Sequence, residues 1–256
     1  MPFFTDQMNR TINIPERPQR IVSLVPSQTE LVVDLGLEDR LVGLSKFCVH
    51  PRGLKKQKTI IGGTKNFHLD KIDALQPDLI IGNKEENYQE GIELLAQKYP
   101  VWMSDIYSLE DALEMMKGIG EITGTDKKAK ELVKKIRQDM DFLKQKRGTA
   151  VYLVWNGPMM VAGPETFIHD MLLRTGFTNL IDQSRYPEIS MEELKALSPD
   201  YLLLSSEPFP FKEKHKDEFK ANLPNTKVIL VDGEVFSWYG SRLKCFKSYV
   251  DGLDLC

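Results

Sequence analysis

The stretch LDKIDALQPDLIIGN, residues 69–83, decides the fold, because its pattern returns later in the chain as MEELKALSPDYLLLSS, residues 191–206. Each copy is typical of a short helix, a proline that ends it, an aspartate and a buried strand. Four pairs of positions correspond at one constant offset: Leu69 with Met191, Leu75 with Leu197, Pro77 with Pro199, and Asp78 with Asp200. The sequence therefore predicts two related α/β lobes, against the alternative of a pattern that is simply common in α/β proteins.

Short apolar runs alternate with helical segments on both sides of these two stretches. RIVSLV (20–25) and TAVYLVW (149–155) are predicted strands, rich in β-branched residues. After the first, Ser27 and Glu30 have the spacing of a capping box, and Gly36 is placed to end the helix. Such alternation favours parallel βα units and mainly parallel central sheets in two Rossmann-like lobes.

The most regular segment lies between the two lobes. From Asp126 to Lys146, apolar residues recur at helical spacing beside a heavily charged face; they are Ala129, Leu132, Val133, Ile136, Met140 and Leu143. We predict an N-terminal lobe over 1–107, a connecting backbone helix over 108–147 and a C-terminal lobe over 148–256. Because a long helix is stiff, we expect only small lobe movements around a ligand crevice between the lobes.

Composition narrows the classes of partner. The chain has 256 residues, with 34 basic and 37 acidic side chains, and no basic stretch interleaved with aromatics. Nucleic acid is therefore not an expected partner, and no apolar run approaches the ~20 residues that a membrane-spanning helix needs. We expect a monomer. The start, MPFFTDQMNR, lacks the features of a signal peptide, which was either removed or never present. The cysteines, Cys48, Cys245 and Cys256, are expected to be free thiols.

Enzyme signatures are missing from the sequence. It has no GxSxG elbow and no phosphate-binding GxxxxGK motif, and the adjacent Glu85 and Glu86 point in different directions. The histidines show no metal-ligand spacing, so we expect no enzyme, no catalytic cofactor and no metal held directly. His50, in the loop FCVHP (47–51), is a candidate axial ligand for a metal inside a bound molecule. The alternative is that His50 is an ordinary loop residue.

The segment FSWYGSRLK (236–244) gathers aromatic and basic side chains after a predicted strand. Trp238 and Tyr239 precede Arg242 by a few residues, and Trp155 follows the first strand of the second lobe. Ligands in open α/β sheets bind outside the carboxyl ends of the strands, so these residues are candidates for a ligand site. The alternative is that the aromatic side chains pack the C-terminal helix onto its lobe.

These motifs, in this order, resemble one family. It is the helical-backbone (class III) substrate-binding proteins of ABC importers, which carry cobalamin, ferric siderophores or haem. The resemblance rests on RPQRIVSLVPSQTELVVDLG, VGLSKFCVHP, GG before LDKIDALQPDLIIG, and AGPETFIHDMLLRTGFTNLI. The element from Cys48 to Pro51 and the Pro26–Ser27 turn are most similar to the cobalamin-binding branch.

The resemblance implies a function and a set of residues. The ligand would be a cobalamin-like corrinoid, or alternatively a ferric siderophore or haem, delivered to a permease with ATPase subunits at a periplasmic or cell-surface location. A cytoplasmic tetrapyrrole-handling enzyme or chaperone is the alternative from another class. The implied ligand-binding residues are Pro26, Ser27, Cys48, His50, Trp155, Trp238, Tyr239 and Arg242. The implied permease-docking carboxylates are Glu85 or Glu86 in one lobe and Glu207 or Glu213 in the other.

Overall fold

Strands and helices alternate along the chain in a computed structural model that describes residues 1–141 and 146–253. The chain divides into two compact units. The first consists of Met1–Ile106, Glu110–Ile136 and Tyr239–Lys244, and the second of Tyr107–Leu109, Arg137–Trp238 and Cys245–Cys256. The predicted α/β class with parallel central sheets is confirmed. The lobe boundaries at 107 and 148 stay a prediction.

The first unit contains a hairpin and a parallel sheet. Its strands are β1 (Phe3–Thr5), β2 (Thr11–Asn13), β3 (Ile21–Ser23), β4 (Leu41–Leu44), β5 (Thr59–Ile60), β6 (Leu79–Asn83) and β7 (Val101–Ser104). Its helices include α1 (Pro26–Asp34), α2 (Leu69–Leu75) and α3 (Gln89–Ala96). Strands β1 and β2 are antiparallel, and the other five are parallel in the order β5-β4-β3-β6-β7. Every residue of β3, β6 and β7 is buried, as expected for a parallel sheet covered on both faces.

The segment predicted as one connecting helix contains two helices among the described residues. They are α4 (Leu109–Thr123) and α5 (Asp126–Asp141). Gly124 separates them with a φ of 71°, a left-handed conformation that glycine adopts without steric cost and that ends a helix. The predicted extension of the second helix to Lys146 passes through Leu143, which lies outside the described residues.

The second unit repeats the parallel arrangement. Its strands are β8 (Gly148–Trp155), β9 (Met160–Val161), β10 (Phe177–Asn179), β11 (Tyr201–Ser205) and β12 (Lys227–Val231), and its helices are α6 (Phe167–Arg174), α7 (Met191–Leu197), α8 (Glu213–Asn222), α9 (Gly233–Ser237) and α10 (Phe246–Asp251). The sheet order is β10-β8-β11-β12 with all pairs parallel, and the short β9 is antiparallel to β8. Its core contains aliphatic residues of β8 and β11 and the aromatic residues Phe211 and Phe219.

The two predicted copies have the same local structure. Helix α2 ends at Gln76 with φ 44°, and helix α7 ends at Ser198 with φ 46°. Both residues are left-handed, a helix-ending conformation that non-glycine residues adopt at a cost. In each copy the proline and aspartate follow, and then a strand of equal length begins, β6 or β11. The repeat is therefore confirmed at the level of the backbone.

The aspartate of each copy ties its strand to the neighbouring parallel strand. Asp78 accepts hydrogen bonds of 2.7 Å from the backbone N–H groups of Gln19 and Arg20, directly before β3. Asp200 accepts from the backbone N–H of Thr149 at 2.7 Å and from its hydroxyl at 2.8 Å, at the start of β8. Each carboxylate therefore fixes the start of a central strand pair.

The predicted capping box at Ser27 is wrong. Helix α1 begins at Pro26, and its N-cap residue, Val25, makes no side-chain cap. Proline has a backbone φ already suited to the first helical position, so the helix begins before Ser27, which then lies within the first turn. The Ser27 hydroxyl is buried and finds no hydrogen-bond partner among the described residues. The predicted stop at Gly36 is confirmed by its φ of 82°.

We predict that Asp200→Asn destabilises the fold near neutral pH and that this difference shrinks in acid. The backbone N–H and hydroxyl of Thr149 lower the pKa of Asp200 below its ordinary value. The ionised carboxylate therefore stabilises the folded state above about pH 4, and this contribution is lost as the pH falls through the lowered pKa. Urea unfolding at about pH 7 and about pH 3 measures the effect.

Asp217→Asn, at an exposed position of α8, is the matched control and should unfold like the wild type. Equal urea midpoints for Asp200→Asn and the wild type at neutral pH would contradict the proposed tie between β8 and β11.

Candidate functional site

The carboxyl ends of the parallel strands carry most of the predicted site residues. In the first unit, α1 follows β3 directly, and the loop with Cys48 and His50 follows β4. In the second unit, Trp155 ends β8, and the loop with Glu207 follows β11. Parallel strands bring these loops to one edge of each sheet, which is where ligands bind in open α/β folds.

In the first unit, Arg242 forms a two-point ion pair with Glu30. Its Nε donates to Oε2 at 3.1 Å and its Nη2 donates to Oε1 at 3.0 Å. Both side chains are largely buried, with 14% and 15% of their surface exposed. Paired donors on a planar guanidinium match a carboxylate in geometry as well as in charge. The ion pair therefore fixes the direction of Arg242.

The segment with Arg242 reaches α1 because of Gly240. A Cβ atom at this position would collide with the backbone carbonyl of Ser27, in the first turn of the helix. Any larger residue would hold the two backbones apart. The neighbouring Tyr239 is buried, with 6% of its surface exposed, and Pro26 is half-buried. The structure thus places Gly240 against Ser27 and Arg242 against Glu30, although these partners are far apart in sequence.

Burial and neighbouring charges act in opposite directions on Glu30. Burial raises the pKa of Glu30, while the Arg242 guanidinium and, more weakly, His50 lower it. His50 therefore lies close enough to the Glu30 carboxylate for an electrostatic interaction with it. The His50 side chain is half-buried in its loop. The first unit thus brings the side chains of Glu30, Arg242 and His50 close together.

Cys48 anchors the loop that carries His50. Its thiol donates to the Thr29 hydroxyl at 3.1 Å and lies 3.4 Å from the Ser45 hydroxyl, and its side chain is buried. Burial raises the pKa of this thiol, so it stays protonated near neutral pH. Its neighbour Phe47 has 50% of its surface exposed. The contacts of Cys48 hold the loop on α1, and its predicted contact with a ligand stays a prediction.

In the second unit, Trp238 is bound to Glu207. The indole N–H donates to Oε1 of Glu207 at 2.8 Å, and the Ser237 hydroxyl donates to the same atom at 3.2 Å. Only 8% of the Trp238 surface is exposed. Burial raises the pKa of Glu207, and the indole hydrogen bond acts against this. Glu207, predicted as an outward docking group, thus makes contacts within its own unit.

Trp155 is the exposed aromatic residue of the second unit's strand ends, with 39% of its surface accessible. Its ring meets the Phe209 ring edge-on at 5.6 Å between centroids, and its N–H donates to the Gly157 carbonyl at 3.3 Å. Phe209 in turn contacts Phe211 and His215. Sequence reasoning named Glu207 in this loop, SSEPFPF (205–211), but not Phe209, although the aromatic and proline content of the loop was the available signal.

The other predicted carboxylates lie in different settings. The backbone N–H groups of Glu85 and Glu86 donate to Oδ1 of Asn83, and both residues are half-buried in the turn after β6. Glu213 begins α8, with 71% of its side-chain surface exposed and a 3.3 Å contact with Lys216. Within residues 1–141 and 146–253, no group of three or more metal-ligating side chains could hold a metal ion. In the same residues, no helix has the length and apolar character for a membrane crossing.

Comparisons with known proteins agree with this architecture. The profile of the periplasmic binding protein family matches residues 21–226. The uncharacterised ABC transporter substrate-binding lipoprotein YvrC of Bacillus subtilis is 28% identical over 77% of this chain and 67% of its own length. The vitamin B12-binding protein of Vibrio parahaemolyticus is 24% identical over 74% of this chain and 72% of its own length. The petrobactin-binding protein YclQ of Bacillus subtilis has a TM-score of 0.84 at 20% identity, covering 99% of this chain and 98% of its own.

The chain belongs to the periplasmic binding protein family. It is a substrate-binding protein of the ABC transporter class and not an enzyme, as predicted. The family implies a small-molecule ligand and a permease with ATPase subunits as partners, and its members are periplasmic proteins or lipoproteins.

We predict that Glu207→Ala lowers the free energy of unfolding of the second unit by about 1–3 kcal/mol, the usual cost of leaving a buried donor without its acceptor. Glu207→Gln should cost less, because its amide oxygen still accepts from the Trp238 indole. Chemical denaturation followed by tryptophan fluorescence measures both variants.

The matched control is Glu213→Ala, an exposed glutamate whose loss should change the free energy by no more than about 0.5 kcal/mol. If Glu207→Ala and this control are equally stable, the Trp238–Glu207 hydrogen bond does not support the unit.

Proposed function

We propose that this protein captures a cobalamin-like corrinoid and delivers it to the permease of an ABC importer. The observation that carries the proposal is an aromatic pair at the carboxyl end of a parallel sheet, formed by the exposed Trp155 and the half-buried Phe209. A flat macrocycle needs such a surface. The similarity to a vitamin B12-binding protein supports the same ligand class.

Aromatic contact supplies enough binding energy for this role. Covering a tryptophan-sized face removes ~150 to 250 Å² from water, worth roughly 4 to 6 kcal/mol before ordering and desolvation costs. In this proposal Trp155 forms an aromatic wall in the second unit. In the first unit, Phe47 is exposed in the loop that carries His50. A neutral His50 imidazole would be a chemically suitable axial ligand for the metal of the bound corrinoid.

An anionic ferric siderophore or haem is the second candidate. It is favoured by the basic side chains of the loop after β4, where Lys46 and Arg52 are both exposed. The Lys46 ammonium lies over the Phe47 ring at 5.0 Å from its centroid, so an aromatic and a cationic group are combined. The fold similarity to a petrobactin-binding protein is compatible with this class.

The direct test is to ask what the protein carries when purified. Absorbance spectra and native mass spectrometry of the freshly isolated protein distinguish a corrinoid, a haem and a ferric siderophore, which differ in colour and mass. Recovery of a corrinoid, or uptake of added cyanocobalamin, supports the proposal. Exclusive uptake of haem or of a ferric siderophore supports the second candidate instead.

We predict that Trp155→Ala weakens cyanocobalamin binding by about 1–3 kcal/mol, within the range for an interface aromatic anchor. Because Trp155 is partly exposed, Trp155→Ala should change the stability of the unit far less than it changes the affinity for cyanocobalamin. Equilibrium titration with cyanocobalamin and thermal unfolding measure the two quantities separately.

Leu173→Ala is the matched control, since Leu173 is an apolar residue of the same unit with 48% of its surface exposed. It should bind like the wild type. Equal affinities for Trp155→Ala and this control would remove Trp155 from the ligand site.

Delivery to a permease requires an outward-facing group on each unit. Glu213 is the stronger choice in the second unit, because Glu207 already accepts two hydrogen bonds from its neighbours. In the first unit, Glu85 and Glu86 share one turn and remain equal candidates. Exposed charges act mainly on the rate and orientation of encounter, so docking should be sensitive to salt.

We predict that Glu213→Lys, combined with Glu85→Lys or with Glu86→Lys, abolishes stimulation of the importer's ATPase while ligand capture continues. Docking through carboxylates requires a basic surface on the permease, and reversed charges would be repelled by it. Reconstituted permease with ATPase subunits provides the assay. Asp217→Lys, one helical turn beyond Glu213 on α8, is the control and should stimulate normally. Normal coupling by both double variants would show that docking uses other residues.

A further inference from the structure

The two basic residues that segment 239–244 brings to α1 are both already paired. Arg242 binds Glu30, and Lys244 binds Asp34 with 2.6 Å between Nζ and Oδ2. Glu30 and Asp34 are one turn apart on the same face of α1. Each cation of the segment therefore meets a carboxylate of the helix.

The two pairs differ in burial. The Arg242–Glu30 pair is 14% and 15% exposed, whereas the Lys244–Asp34 pair is 39% and 32% exposed. Charges in a largely buried pair are weakly screened by solvent, so their mutual attraction is stronger than at the surface. Separating such a pair leaves an uncompensated charge, which is costly. Arg242 is therefore held by Glu30 much more firmly than Lys244 is held by Asp34.

The firm pairing has a consequence for a ligand at this sheet edge. A carboxylate that approached Arg242 would have to displace Glu30 or lie beside it as a second negative charge. A neutral amide faces neither penalty, because it brings no negative charge that competes with Glu30. The neighbouring loop adds Lys46, His50 and Arg52 as further positive or titratable groups. Lys46 and Arg52 are exposed, whereas Arg242 is largely buried.

We infer that Glu30 sets the ligand charge that the site accepts: it withholds Arg242 from carboxylate-bearing ligands and thereby favours a ligand with an uncharged, amide-bearing periphery. This inference rests on the proposed function, and it narrows the ligand class within it. Cyanocobalamin has primary amides around its corrin ring, whereas iron protoporphyrin has propionate carboxylates. Glu30 is thus a specificity-determining residue that acts through Arg242.

The test is the ratio of haem to cyanocobalamin affinity in Glu30→Gln. Glutamine keeps the shape of the side chain and an oxygen for Arg242, but it removes the competing charge. We expect haem to gain at least about tenfold relative to cyanocobalamin, equal to about 1.4 kcal/mol. Titrations of the full chain with each probe, followed by absorbance, measure the ratio.

Two further variants isolate the cause. Asp34→Asn removes the same charge from the same helix without releasing Arg242, so its ratio should equal that of the wild type. In the double variant Glu30→Gln with Arg242→Gln, the gain for haem should disappear. An unchanged ratio in Glu30→Gln, an equal gain in Asp34→Asn, or a gain that persists in the double variant would each overturn the inference.

Circular dichroism checks that each variant is folded. If Glu30→Gln does not fold, Arg242→Gln takes its place: it leaves the Glu30 charge uncompensated, so haem should lose at least about tenfold relative to cyanocobalamin. Equal losses for both probes would overturn the inference. Failure of the proposed function has a different signature, because the wild type itself would then not bind cyanocobalamin.

Discussion

The hydrogen bonds from backbone N–H groups to the carboxylates of Asp78 and Asp200 organise both units. Each carboxylate fixes the start of a central strand against its parallel neighbour, β6 against β3 and β11 against β8. Once these starts are aligned, the strands end together at the opposite edge. The candidate site residues, from the first turn of α1 to Trp155 and Glu207, then lie at that edge of their own sheet.

The second determinant is the return of segment 239–244 to α1. Gly240 permits the close approach to Ser27, and the ion pair between Arg242 and Glu30 fixes it. The pair is a tertiary contact, and we infer that it also selects ligands by charge, because a guanidinium already paired with a carboxylate binds a second anion less well. Rigid pairing of this kind also orders the site before a ligand arrives, which reduces the entropy lost on binding.

Sequence alone predicted the features that depend on local pattern. The repeat was recognisable because helix, turn, aspartate and strand are encoded within fifteen or so residues, and the family resemblance followed from the order of such motifs. The family assignment, the α/β class and the absence of an enzyme role agree with the comparisons. The roles of His50, Cys48, Trp238 and the other site residues remain predictions.

What sequence reasoning missed depends on distant partners. Glu30 was assigned to a capping box, but its partner Arg242 is 212 residues away, and no local rule points to it. Glu207 was one of two docking candidates in the second unit, and that role stays a prediction. No local rule points to the indole of Trp238 and the hydroxyl of Ser237, which folding places on its oxygen. Both carboxylates are partly buried, and the burial of a charged side chain depends on the tertiary structure and not on the local sequence.

The central claim is that this member of the family binds a corrinoid. Isothermal titration calorimetry of the purified wild-type chain with cyanocobalamin tests it most directly. The account predicts one ligand bound per chain with a dissociation constant of about 1 µM or tighter, a free energy of about −8 kcal/mol or more favourable. Absence of cyanocobalamin binding, with saturable binding of haem or a ferric siderophore to the same preparation, would contradict it.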